Sequence, residues 1–462
     1  MQEYFVELSK YFIVALMAFY TFFCFLVFRF REETRRKGIY TGQRILLFLI
    51  QLCCFLTLYF ESGQIEYLFF YAFVQIFLFS AMVLTCQIYE RINRLLLNNM
   101  CLLLGIGFVL LSRLSLKRAE KQLAIVIVSF IVSLFVPMLI TKMKFLRKLT
   151  WLYASVGIFL LSAVLLLGNL THGSKISFSI ADITVQPSEF VKLIFVFFLA
   201  AALFEDVSFK RVAVTTVIAA LHVIILVVSR DLGSALIFFI CYLFVVFMAT
   251  ASYLYLLLGL FAGSAGAVAA YFLFGHVKER VVAWLNPFAY IDSQGYQITQ
   301  SLFAIGSGSW FGMGLMGGTP GDIPYVEKDF VFSALCEELG VISGICIILI
   351  CLSCFIMMMH TGLKHRDTFY RLIALGCGVI YIFQIFLTIG GGIKFIPLTG
   401  VTLPFISYGG SSVFTTTLLF FIVQGVCNLQ QPQEEKMKRY PKKQQGGEMY
   451  AAKTRKKKRS ED

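Results

Sequence analysis

About thirteen stretches of roughly twenty mostly apolar residues recur along this chain, each long enough to cross the hydrocarbon core of a bilayer as a helix. They fall near 11–28, 43–60, 67–86, 98–112, 122–141, 149–168, 187–204, 211–228, 232–249, 253–274, 330–356, 370–391 and 409–428. Backbone polar groups in lipid must be satisfied within the segment, which makes helices the form such stretches take. With 59% hydrophobic and 14% charged residues and a mean hydropathy of +0.81, a soluble globule of 462 residues is excluded. The expected fold class is therefore an all-α polytopic integral membrane protein with about 13 transmembrane helices. The first span lacks the basic flank and small-residue cleavage site of a signal peptide, and is expected to stay.

Orientation follows from where Lys and Arg sit, because short loops rich in them stay on the cytoplasmic side. With the N-terminus outside, 28 of the 40 Lys and Arg fall in inner segments, eleven of them in the tail from Lys436 to Arg459. Four in the Arg113–Lys121 connection break the rule. The net charge of +14 is thus a membrane-surface feature, and no nucleic-acid partner is expected. All twelve cysteines fall in expected spans, where they read as small buried apolar residues, with neither disulfides nor zinc assigned. His222, inside a span, reads as a satisfied core residue.

The connections are short except for a segment of some 55 residues between Phe274 and Phe330, and long loops in compact proteins usually carry function. Within it, Tyr296–Gly318 is too short and too Gly-broken to span, yet too apolar to be fully solvated. It reads as an interfacial helix or re-entrant element followed by a Gly-rich turn, backbone that survives at membrane depth only against protein or a cavity. Directly after it, IPYVEKDFVFSALCEELG (323–340) hands a polar loop to a long apolar helix carrying Asp329, Glu337 and Glu338. An acid at the mouth of a membrane helix is a functional-site candidate by default, and Asp329 is the first choice.

Other ionisable groups join it. Glu189 and Lys192 share one helical face, with two readings open: a structural pair, or substrate contact. Asp231 is expected to cap the helix that follows it. Arg280 suits bidentate pairing with a diphosphate or anchoring to lipid phosphates. Glu337 and Glu338, about 12 Å along the helix from Asp329, either line a cavity floor or pair with a buried hydroxyl or Lys192. Near the C-terminus, FIPLTGVTLPFISYGGSSVF (395–414) breaks apolar sequence with Pro397, Pro404, Gly400, Gly409 and Gly410. Such a broken helix exposes backbone groups that bind anions, with Ser407, Tyr408, Ser411 and Ser412 as hydroxyl donors; the alternative is close helix packing at the GGSS run.

Four separated motifs carry a resemblance to the SEDS proteins, comprising FtsW, RodA and SpoVE: QPSEFVK (186–192), RDLGSAL (230–236), the GYQITQSLFAIGSG loop from Gly295 with PYVEKDFVFSALCEELG from Pro324, and IPLTGVTLPFISYGGSS (396–412). The resemblance covers about 98–428 and implies a ten-helix core. The expected organisation is then an N-terminal three-helix membrane module (1–97), the core (98–428) with its large extracellular loop (275–329), and a basic cytoplasmic tail (429–462). Tyr325 and Lys328 stand where the family usually has Glu and Thr, Arg230 where it has Pro, Thr388 for Asn and Ser177 for Trp.

The resemblance implies a bacterial plasma-membrane glycosyltransferase that polymerises lipid II with inversion and expels undecaprenyl diphosphate. Asp329 matches the family's essential aspartate and takes the role of general base. Glu189, Lys192, Arg280, Ser407, Gly409, Gly410, Ser411, Ser412 and Glu337 are the candidate substrate-binding residues. A divalent cation, Mg²⁺ or Mn²⁺, and a class B penicillin-binding protein docking through one membrane helix are the expected cofactor and partner. Two rivals stand beside this reading. A lipid II flippase or transporter calls for matching broken helices in two repeats, which the halves lack. A non-catalytic scaffold for the transpeptidase draws on the altered residues around Asp329.

Overall fold

Helices dominate the computed structural model, which describes residues 2–30, 32–171, 174–180 and 183–429. The expected basic tail beyond Leu429 lies outside the described residues. The N-terminal helices are α1 (Gln2–Arg29), α2 (Glu33–Ser62) and α3 (Glu66–Ile88). Gly63 ends α2 in the left-handed region at φ 67°, its N–H bonded to Tyr59 O, a conformation that suits glycine. Next comes α4 (Arg94–Leu114), whose start is capped by the Asn93 side chain accepting from Leu96 N–H. Buried on all sides, α4 is wedged between the N-terminal helices and the rest of the bundle. Its Asn98 and Asn99 cannot be left unsatisfied there. Asn98 Nδ2 donates to Gln43 Oε1 of α2 at 3.1 Å, and Asn99 accepts from the Tyr20 hydroxyl of α1 at 3.0 Å.

The span expected at 122–141 forms two helices, α5 (Leu116–Leu134) and α6 (Val136–Lys142). Pro137 explains the break, since it has no N–H to donate and disfavours helical backbone before it. After α7 (Thr150–Leu167) the all-α expectation needs an addition. Strands β1 (Asn169–Thr171), β2 (Ser174–Ile180) and β3 (Ile183–Val185) make a small antiparallel meander, with Phe178 opposite Val185 and Ile180 opposite Ile183. The chain continues through α8 (Pro187–Leu203), α9 (Phe209–Val228), α10 (Leu232–Thr250) and α11 (Tyr253–Leu273). On α9, His222 Nδ1 bonds Ile218 O among the rings of Phe195, Phe198 and Phe238.

The long loop contains α12 (Gly275–Leu285) and α13 (Tyr296–Gly308), and the chain closes with α14 (Val331–Lys364), α15 (Thr368–Gly392) and α16 (Gly410–Leu429). Among the described residues, twelve helical segments, counting α5 and α6 as one, are long and apolar enough to cross a membrane. With the 17 residues of α8, about 25 Å long, they account for the thirteen expected spans, and the chain is a multi-pass membrane protein.

Helix α14 is interrupted at Gly340, where φ 83° and ψ 161° leave the helical region. The Gly-rich stretch after α13 fills that gap: Met313 and Gly314 donate to the carbonyls of Glu337 and Glu338, while Val341 and Ile342 donate to those of Ser309 and Trp310. The expected re-entrant element is therefore tied into a broken helix, each satisfying the other's backbone. Close approach requires glycine: a Cβ on Gly312 would sit 2.2 Å from Glu338 O, and one on Gly340 2.4 Å from Trp310 O.

Candidate active site

Asp329 sits on a turn that the sequence anchors from beneath. Ile323, Val326 and Phe330 are buried against Ala304 of α13 and Ala334 of α14, an apolar plug under the polar segment between them. Tyr325 O accepts from Lys328 N–H at 2.9 Å and Asp329 N–H at 3.3 Å, closing the turn. Tyr325 holds φ 59°, a left-handed backbone that costs a non-glycine residue about 1–2 kcal/mol. Two of the five expected departures from the family pattern meet here, with Lys328 Nζ 5.9 Å from the centre of the Tyr325 ring.

The 403–409 segment clasps this turn from the side. Ser407 donates its hydroxyl to Lys328 O and accepts from Leu403 N–H, and Tyr408 N–H donates to Glu327 O at 2.7 Å. Gln122 Nε2 donates to Ser407 O at 3.2 Å and its Oε1 accepts from Gly409 N–H at 3.4 Å. Arg118 pairs with Glu327 at 2.7 Å.

Across from the turn lies Gly400, in the left-handed region at φ 74°. A Cβ there would be 3.8 Å from Asp329 Oδ2 and 3.9 Å from Arg280 Nη2, so carboxylate and guanidinium face the same bare patch of backbone. Arg280, on α12, donates to Leu398 O at 3.1 Å, and Trp284 one turn on donates to Lys394 O at 3.1 Å, which fixes α12 against the 394–400 segment. Burial pushes the half-buried Asp329 carboxyl up to about 6, against the opposing pull of Lys328 and Arg280. Burial also lowers the Arg280 guanidinium from its ordinary value, opposed by Asp329 and Asp231.

Behind these groups runs a buried polar network. Asp231 caps α10, accepting from Ser234 N–H at 3.1 Å, and also accepts from the Ser188 hydroxyl at 3.0 Å. Burial raises its carboxyl. Lys192 pairs with Glu189 at 2.5 Å and donates to Gln384 Oε1 at 2.8 Å, and the Thr415 hydroxyl donates to the same Glu189 oxygen at 2.9 Å. Ser412 bonds Thr402 and Gln384, and Ser411 bridges Gln186 N–H and Thr184 O. The hydroxyls of Ser407, Ser411 and Ser412 are therefore engaged with protein. Gly409 and Gly410 bring the start of α16 to the same wall.

Glu337 and Glu338 lie apart from this group and hold the re-entrant stretch instead. Glu337 Oε1 accepts from Thr319 N–H at 3.0 Å, and its backbone carbonyl is one of those capped by the loop. The pairing of these acids with a hydroxyl or with Lys192 is corrected: Glu338 pairs with Arg113 at 2.7 Å, and Arg113 also donates to Gly318 O at 3.0 Å. Sequence reasoning missed Arg118, Gln122 and Gln384, which brace the Asp329 turn and the wall behind it, and Arg113, which holds the re-entrant stretch. The signal was present in the cations of the Arg113–Lys121 connection that sit on the wrong side of the charge rule; Arg118 answers Glu327 of the Asp329 turn, and Arg113 answers Glu338 of the re-entrant stretch.

Among the described residues no three His, Cys, Asp or Glu side chains converge on a metal position. Asp329 has cationic Arg280 and Lys328 for neighbours, and Glu327 is held by Arg118. The donor set does not fit a resident divalent cation held by protein alone.

A family model described as cell cycle protein, covering FtsW, RodA and SpoVE, matches residues 94–431. The peptidoglycan glycosyltransferase RodA of Mycobacterium tuberculosis is 33% identical over 363 residues, spanning 72% of this chain and 77% of the relative. An FtsW of Saccharophagus degradans is 30% identical over 367 residues, spanning 73% and 92%. Two solved structures share the fold. One, from a report on structural coordination of polymerization and crosslinking by a peptidoglycan synthase complex, has a TM-score of 0.63 and 24% identity over 74% of this chain and 99% of that one. The other, Thermus thermophilus RodA, has a TM-score of 0.57 and 23% identity over 74% and 98%.

Proposed function

Because this chain belongs to the FtsW/RodA/SpoVE family, we propose that it polymerises lipid II into glycan strands at the site built around Asp329. The chain is a peptidoglycan glycosyltransferase. One observation carries the assignment of the base: the Asp329 carboxyl, pushed up to about 6, stands beside Arg280 at the mouth of α14. A carboxyl with that value is ionised at neutral pH yet basic enough to accept a proton in the transition state, a contribution of roughly 100- to 10,000-fold.

In the proposed step the 4-hydroxyl of one GlcNAc gives its proton to Asp329 as its oxygen bonds the anomeric carbon of the growing chain. The bond from that carbon to the diphosphate oxygen breaks on the opposite face, its electron pair leaving with undecaprenyl diphosphate, so the centre inverts. Arg280 and Lys328 supply positive charge to the departing diphosphate, where preorganised charge is most effective. The Glu189–Lys192–Gln384 network supports the wall from behind, and Glu337 with Glu338 fixes the re-entrant stretch. A divalent cation is proposed only as one shared with the diphosphate oxygens, and no step here runs through it.

The site is proposed to face the extracellular side, opposite the basic connections. The proposed partner is a class B penicillin-binding protein acting as transpeptidase. The test is conversion of labelled lipid II by the full-length protein with its partner. Polymer supports the reading. A folded, partner-bound protein that makes none under any metal condition hands the function to the scaffold or flippase reading.

A further inference from the structure

At the end of α14 opposite Asp329, a cavity of about 790 Å³ opens between the N-terminal helices and the core. Its size lies within the roughly 300–1,000 Å³ of small-molecule sites. Its wall is basic and assembled from three places. Arg36 and Lys37 come from α2, Arg91 and Arg94 from the turn into α4, and Lys364 and Arg366 from the far end of α14. Arg36 of α2 and Lys364 of α14 line this one space together with His360, so cations of the two halves share it.

The acids of the wall do not balance this charge. Glu33 is taken by Lys37 at 3.7 Å, and Asp367 by Arg147, which lies outside the cavity, at 3.0 Å. That leaves Glu90. Among the described residues Arg94, Lys364 and Arg366 form no salt bridge with any acid. Like charges gathered at a cavity repel unless an anion joins them, and guanidinium and ammonium groups together match phosphate oxygens. Apolar Phe28, Met357 and Leu429 line the same space, which gives a phosphate ester somewhere to lay its organic part.

We propose that this cavity binds a phosphate-bearing anion, held jointly by the N-terminal helices and the core. The chemistry is shared by the headgroup of an anionic phospholipid and by a soluble phosphate ester. It gives the first three helices a role independent of the Asp329 site: they supply half of a ligand site.

The test uses the full-length protein in a neutral maltoside, titrated with dihexanoyl phosphatidylglycerol, dihexanoyl phosphatidylcholine and inorganic phosphate. An anionic probe is expected to bind at least about tenfold more tightly than the zwitterionic one. Arg94→Gln with Lys364→Gln should lose about that factor, while Arg94→Lys with Lys364→Arg keeps binding and controls for folding. Tight phosphatidylglycerol binding that inorganic phosphate does not displace assigns a lipid headgroup; displacement assigns a soluble ester. Equal binding of the two lipids with none of phosphate, or unchanged binding in a folded neutralised variant, overturns the proposal.

Discussion

Replacing Arg280 by Gln should move the pH dependence of polymerisation, and the structure sets the size of the move. Asp329 Oδ2 and Arg280 Nη2 lie 3.8 and 3.9 Å from one point, the Cβ position on Gly400, which bounds their separation. At about 8 Å, that upper bound, opposite unit charges interact by roughly 2 kcal/mol at an effective dielectric constant near 20, and by about 0.5 kcal/mol in bulk water. Each 1.36 kcal/mol is about one pH unit. The sign follows from the base role. Burial already raises the carboxyl, Arg280 opposes that rise, and removing the opposing charge raises it further. The protonated, inactive form then persists to higher pH. The acid limb of kcat/KM, near 6 in the wild type, should shift upward by roughly 0.4 to 1.5 units. The assay is initial-rate polymerisation of labelled lipid II between about pH 5 and 8 for both proteins, with thermal melting as the folding control. A folded Arg280→Gln protein whose limb stays put, or moves to lower pH, refutes the electrostatic coupling inferred here.

Further outcomes follow from the same geometry. Lys328→Thr should raise the acid limb in the same direction, and mainly at low salt because Lys328 is exposed; a pH profile at two ionic strengths checks this. Glu338→Ala leaves Arg113 largely buried without its acid and should destabilise by about 3–5 kcal/mol, read as a lowered melting midpoint. Gly340→Ala places a methyl 2.4 Å from Trp310 O on a left-handed backbone and should unseat the 309–314 stretch, read as faster proteolysis or hydrogen exchange there. With no three-ligand metal set among the described residues, a chelator should remove any metal-dependent activity at once, added Mg²⁺ should restore it, and no metal should co-purify.

The spans were legible because a bilayer imposes one long apolar pattern on each, and the Asp329 turn because a charge there needs a reason. The breaks in regularity were partly legible. Gly-rich sequence after Tyr296 pointed to a re-entrant stretch, but not to its pairing with the gap at Gly340, since a single glycine in an apolar helix has several uses. Pro137 lay in plain view inside one expected span and splits it. The β1–β3 meander escaped because three strands of three to seven residues are lost beside spans of twenty. Side-chain partners were hardest. Nothing in linear order pairs Arg113 with Glu338, 225 residues away, or turns the Ser407 hydroxyl onto Lys328 O. Such pairs depend on how helices distant in sequence pack.

Asp329 is the centre of this account, and one comparison tests it most directly. Full-length wild type and Asp329→Ala, each with the proposed transpeptidase partner and each shown to be folded by melting, are given labelled lipid II under identical conditions. The account predicts glycan strands from the wild type and a loss of roughly 100-fold or more from the variant, whose fold and partner binding stay intact. Strands made at the wild-type rate by the folded variant would contradict it.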